Sequence, residues 1–183
     1  MNVGIPQKEH TALLVIDVQE RLMPVIHEQA LIFENVNKLI RGAEVLDLEI
    51  ITTEQYPKGL GNTCKEIVLP SENPIVIEKM SFSCMLNEDV SEQLKLTNVK
   101  DIIICGVEAH ICVLKTTLDA LQQGYRVHVV ADAVSSRTPQ NKQLALERMR
   151  QAGAYIVSVE MILFMLLEKA GTDEFKAISK LIK

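Results

Sequence analysis

Six short apolar runs, set between longer stretches with helical spacing, constrain this chain more than any other feature. They are ALLVID (12 to 17), EIITT (49 to 53), PIVIEK (74 to 79), DIIICG (101 to 106), RVHVVAD (126 to 132) and AYIVSV (154 to 159). Each is rich in β-branched residues and short enough to be a strand buried on both faces. Helical patterns lie between them, at 29 to 46, weakly at 63 to 69, then at 87 to 96, 111 to 123, 138 to 152 and 160 to 169, with a last one in the tail at 172 to 183. In the stretch 111 to 123, Ile111, Leu114, Leu118 and Leu121 recur on one face, and Gly124 stands where a C-terminal cap belongs. Strand and helix in alternation predict an α/β fold, a parallel sheet with helices on both faces.

A chain of 183 residues is expected to form a single domain, 1 to 183. Its formal net charge of −5 arises from scattered acids, the opposite of the clustered Lys and Arg that bind nucleic acid, so no nucleic-acid partner is expected. No apolar run approaches the roughly 20 residues that span a bilayer, so no membrane partner is expected either. The opening MNVGIPQKEH lacks the basic start and apolar stretch of a signal peptide, which predicts a cytoplasmic protein. Four cysteines, Cys64, Cys84, Cys105 and Cys112, are too few for a disulfide scaffold, and no two form a C-x-x-C pair.

In an open parallel sheet, ligands bind beyond the carboxyl ends of the strands. Those ends carry Asp17, then Thr53 and Glu54, Lys79, the turn from Val107 to Cys112, and Asp132. An acid, a base and a thiol therefore share one rim. Cys112 falls at the start of a predicted helix, where free N–H groups and the positive end of the dipole favour a thiolate. A cysteine is as often small apolar filler, and Cys105 inside IIIC reads that way. Cys84 in SFSCM, close after Lys79, is a lesser rival as the reactive thiol. Asp17 could equally cap a loop, and a lone lysine at a strand end is usually solvated. Together the three suggest a thiol whose proton is managed by a carboxylate beside a cation.

These residues resemble the isochorismatase-like cysteine hydrolases over nearly the whole chain. LLVIDVQE is similar to the first-strand motif of that family, EKMSFSCM to its lysine motif, and IICGVEAHICVLKTTLDALQQGYRVHVVADAVSSR to its cysteine motif and following strand. TEQYPKGLGNT and the C-terminal run from ALERMRQAGA to FKAISKLIK are most like the isochorismatase domain-containing subgroup. The resemblance implies a three-layer Rossmann-like fold, with the six-stranded parallel sheet in the order 3-2-1-4-5-6. It implies a catalytic triad of Asp17, Lys79 and Cys112, a cis peptide between Val107 and Glu108, and an oxyanion hole from the N–H groups of Glu108 and Cys112. Lys79 is the weakest link, because its strand lies two places from the first, roughly 10 Å away at about 4.8 Å per strand.

Isochorismatase proper lacks the nucleophilic cysteine, so Cys112 turns the expectation toward acyl chemistry on a small-molecule substrate. Nicotinamidases hold a metal through an Asp and several His after the second strand. Here Glu54 keeps a carboxylate, Tyr56 stands at a histidine position, and no His lies between His27 and His110, so neither a metal nor another cofactor is expected. Gln19, Gln55, Tyr56 and Phe82 are candidate pocket residues. The expected activity is hydrolysis of a small amide or related acyl compound through a thioester. The alternatives are a non-catalytic oligomeric scaffold and a redox-responsive thiol protein. A homo-oligomer is expected from the family likeness and from MILFMLL (161 to 167), more apolar than one helix face needs.

Overall fold

The computed structural model describes residues 3–70 and 72–183. In chain order its main elements are β1 (Thr11–Ile16), α1 (Gln29–Val45), β2 (Glu49–Gln55), α2 (Pro57–Leu60), β3 (Ile75–Lys79), α3 (Glu88–Leu96) and β4 (Asp101–Val107). These are followed by α4 (Leu114–Gln122), β5 (Arg126–Ser135), α5 (Pro139–Gln151), β6 (Tyr155–Val157), α6 (Val159–Met165) and α7 (Asp173–Ile182). The strands form one parallel sheet in the order β3-β2-β1-β4-β5-β6.

The alternation of side chains along each central strand creates two cores. From β1, Leu13 and Val15 point to one face of the sheet and Ala12, Leu14 and Ile16 to the other. In β4, Ile103 and Cys105 join the first face, Ile102 and Ile104 the second. The first core is closed by α1, α6 and α7 through Ile32, Val36, Leu39, Ile40, Ile162, Leu163 and Ile178. The second is closed by α3, α4 and α5 through Val90, Leu94, Ala120, Ala145 and Met149. Three layers result, because strands apolar on both sides must be covered twice. Each fully buried Leu or Ile contributes about 1.5 to 3 kcal/mol.

Helix starts follow their local chemistry. Asn87, Thr138, Ser158 and Thr172 each accept a backbone N–H in the first turn of the following helix, and Pro139 stands at the first position of α5. The structure departs from the sequence reading at three elements. Residues 63 to 69 form no helix, and the short α2 lies just before them. The stretch is instead fastened to its neighbours, with Cys64 N–H donating to the Val18 carbonyl at 2.9 Å. The fifth strand continues to Ser135, past a register shift between β4 and β5, and the sixth is only three residues long. Asp132 lies within this irregular part of β5, where Oδ1 accepts the Val159 N–H at 2.9 Å and so starts α6.

Candidate active site

β1 and β4 are neighbours in the middle of the sheet, so the residues that leave their carboxyl ends meet. Asp17 is the first residue past β1. Its side chain has no exposed surface, and its backbone is left-handed at φ 52°. Aspartate tolerates that region better than most residues. Its N–H donates to the Thr53 carbonyl at 3.1 Å, and its Oδ1 accepts the Thr53 hydroxyl at 2.8 Å.

Lys79 spans the gap from the edge strand. β3 pairs with β2 so that Lys79 lies opposite Gln55, two residues beyond Thr53, and the long side chain runs inward over β2. Its Nζ donates to Asp17 Oδ2 at 2.7 Å, to Gln55 Oε1 at 2.8 Å and to the Ser81 carbonyl at 3.3 Å. Both members of this ion pair are fully buried. Burial pushes the Asp17 carboxyl up from its ordinary value, against the opposing pull of Lys79. Burial acts to lower Lys79, but the negative charge of Asp17 and their hydrogen bond outweigh that and hold its ammonium above the usual value.

The third group arrives from β4. Gly106 and Val107 end the strand, the Val107–Glu108 peptide is cis, and residues Ala109–Val113 make a π-helical turn before α4 begins at Leu114. Cys112 sits in that turn, only 6% exposed. Here the structure corrects the sequence reading, in which the helix start would favour a thiolate. Burial and then the negative charge of Asp17 push the Cys112 thiol well up, with only partial relief from Lys79. The thiol of Cys112 faces the Asp17 carboxyl. The Glu108 N–H has no backbone acceptor among the described residues, while its carboxylate accepts Arg137 Nε at 2.8 Å.

Two of the four candidate pocket residues are committed within the protein. Gln19 Nε2 donates to the carbonyls of Gln55 and Gly61 at 3.0 and 2.7 Å, and its Oε1 accepts the Gln55 N–H at 2.8 Å. Gln55 holds Lys79 and donates to the Met80 carbonyl at 2.9 Å. Tyr56 and Phe82 are 48% and 59% exposed. Tyr56 and Lys79 line a cleft of about 400 Å³ with Pro57, Lys58, Glu78, Met80 and Asn87. Neither this cleft nor another of about 400 Å³ around Glu44, Asp47 and Glu72 is lined by Asp17 or Cys112. Glu54 is occupied by Thr63, whose N–H and hydroxyl lie 2.6 and 2.8 Å from Oε1. Among the described residues no group of three or more His, Cys, Asp or Glu is arranged to hold a metal ion.

Sequence reasoning gave one member of this cluster, Thr53, no role and missed another, Thr116. Thr53 was visible as a strand-end residue, and its pairing with Ile16 in the sheet register is what sets it beside Asp17. Thr116, one turn beyond Cys112, accepts the Cys84 N–H at 3.0 Å and ties the loop after Lys79 to the helix that follows the cysteine. A polar residue one turn after the cysteine was the available signal.

Residues 11–161 match the family model described as "Isochorismatase domain". A secreted isochorismatase effector, Isc1 of Phytophthora sojae, is 45% identical over 94% of this chain and 84% of its own length. Among solved structures, the MAR1 ribonuclease of Caenorhabditis elegans superposes with a TM-score of 0.89 at 37% identity, covering 97% of this chain and 91% of that one. The YcaC gene product of Escherichia coli, described as an octameric hydrolase of unknown specificity, superposes at 0.86 with 25% identity, over 100% of this chain and 90% of that one.

Proposed function

The chain belongs to the isochorismatase family, and on that footing we propose that it is a hydrolase of a small amide or related acyl compound, working through a thioester on Cys112. The observation that carries this reading is the fully buried Asp17–Lys79 pair set against a buried thiol at the carboxyl edge of the sheet.

Asp17 takes the Cys112 proton as the sulfur attacks the substrate carbonyl. Burial makes its carboxylate a stronger base than one in water, which helps it remove a proton from so weak an acid. Lys79 keeps Asp17 ionised beforehand and the anion balanced afterwards. The N–H groups of Glu108 and Cys112 hold the oxyanion. Asp17 then returns its proton to the leaving amine, and water, deprotonated by the same carboxylate, releases the acid and restores the thiol. Every step uses this chain's own groups, and no cofactor enters. Tyr56 and Phe82, both exposed, supply apolar surface to the acyl group.

The ribonuclease name belongs to the nematode protein. In this chain 24 acidic residues outnumber 19 basic ones, which favours a small acyl substrate over a polyanion. Four unpaired cysteines fit a reducing compartment such as the cytoplasm, and among the described residues no helix is long and apolar enough to cross a membrane. Assembly into a homo-oligomer is supported by the octameric bacterial hydrolase and by Met161 and Phe164 of α6, 52% and 37% exposed. The chain 1–183 is read as a single hydrolase domain.

The test is ammonia release from a panel of small amides, with RNA as a further substrate, and intact-mass spectrometry during turnover. The expected result is an acyl adduct on Cys112 and loss of turnover in Cys112→Ser. Near-normal turnover in that variant, or cleavage of RNA alone, overturns the reading.

A further inference from the structure

We propose that Thr53 and Cys84 are positioning residues that set the proton affinity of Asp17. The proposal rests on the reading of Asp17 as the base for Cys112, and it concerns how that base is tuned.

Asp17 is approached from three sides, by Lys79 at the end of β3, by Cys112 in the π-helical turn and by Thr53 on β2, with Cys84 behind Thr53. Lys79 takes Oδ2 at 2.7 Å, and the Thr53 hydroxyl donates to Oδ1 at 2.8 Å. A hydroxyl has one proton but two lone pairs, so the proton spent on Asp17 leaves Thr53 able to accept. The group in front of those lone pairs is the Cys84 sulfur, 3.8 Å away. Cys84 has no exposed surface, and burial pushes its thiol up to about 11, so at neutral pH it has a proton to give. The direction of the chain is thereby fixed: Cys84 S–H to Thr53, Thr53 O–H to Asp17. A hydroxyl that receives a donor gives its own proton more strongly, and a donated proton favours the charged carboxylate.

The ring is closed by the helix that follows Cys112. Cys84 N–H donates to Thr116 at 3.0 Å, four residues beyond Cys112, so the sulfur that orients Thr53 is anchored to the segment carrying the nucleophile. Thr53, Cys84 and Thr116 are each fully buried, which removes water as a competing donor or acceptor. Tuning of this kind serves a base that must stay ionised at rest yet accept a proton from a weakly acidic thiol. Lys79 and Thr53 together supply the first property, and burial of the carboxylate supplies the second.

The experiment titrates the carboxyl carbon of Asp17 by NMR in wild type and variants, with the acid limb of Cys112 alkylation as a second reading. Losing one hydrogen bond to a charged group in Thr53→Val is expected to move the Asp17 midpoint up by about one pH unit, tenfold in proton affinity. Thr53→Ser restores it, because the hydroxyl returns. Cys84→Ala gives a smaller upward shift and Cys84→Ser largely removes it. A folded Thr53→Val protein with the wild-type midpoint overturns the proposal, as does a shift that Ser fails to reverse. A wild-type Cys112 that no amide acylates sinks the proposed hydrolysis instead, and the Asp17 titration still decides the role of Thr53.

Discussion

Replacing Lys79 with Met removes the ammonium and keeps most of the stem. Asp17, with no exposed surface, is left with the Thr53 hydroxyl, the Cys112 thiol and no cation. Breaking a buried pair from one side costs about 3 to 5 kcal/mol. The variant can relieve this by protonating Asp17, at about 1.4 kcal/mol for each pH unit above the ordinary carboxyl value near 3.9. That escape costs about 4 kcal/mol at about pH 7 and about 3 kcal/mol at about pH 6, so it caps the loss and gives it a slope. The sign follows from linkage. In the variant the folded form binds a proton that the unfolded form releases, so its stability falls relative to wild type as pH rises toward the folded midpoint. Urea unfolding at the two pH values should show Lys79→Met less stable by about 4 and about 3 kcal/mol respectively. Adding Asp17→Asn should recover more than half of the loss, because a neutral amide needs no counter-ion. A loss below about 1 kcal/mol, or the same loss at both pH values, would refute the claim that the cost is that of a stranded buried charge.

Gly106 has φ 109°, and a Cβ built there overlaps the Ile16 carbonyl oxygen and comes within 2.7 Å of its nitrogen, so Gly106→Ala must push β1 and β4 apart directly beneath the site. The expected cost is about 3 kcal/mol or more with loss of turnover, and urea denaturation showing less than about 1 kcal/mol would refute it. At the other end of β4, burial pushes the Asp101 carboxyl up, but His128 and Arg126 outweigh it and hold it below the usual range. Its contribution is therefore present above the ordinary carboxyl value and fades as pH falls through the lowered one, so Asp101→Asn should cost about 3 kcal/mol at neutral pH and less under acid. Thermal melts across that range check this, and a pH-independent deficit would contradict it. Exhaustive chelation is expected to leave amide turnover unchanged, since Glu54 already serves Thr63; activity lost and then restored by added zinc would overturn that.

The strands and the two-sided core were legible because apolar periodicity is a local property. Ile102, Ile103 and Ile104 in sequence already demand cover on both faces, and the caps at Asn87, Thr138, Ser158 and Thr172 are local chemistry of the same kind. Asp17 and Cys112 were visible as strand-end residues, and their meeting needed only the strand order that the family resemblance supplied. What residues do to each other across the sheet was not legible. The thiol illustrates this: a helix start argues for a thiolate, but burial and a facing carboxylate, both set by distant segments, push it the other way. Gln19 and Gln55 looked like pocket residues from their motifs, yet their amides brace β2 and Lys79. The reach of Lys79 across β2, the grip of Thr53 on Asp17 and the thiol behind Thr53 all depend on register between strands far apart in the chain. Sequence determined which residues stand at the rim, because that follows from where each apolar run ends. Tertiary structure decided which of them share protons, because hydrogen bonds and desolvation act over a few ångströms of space and take no account of separation along the chain.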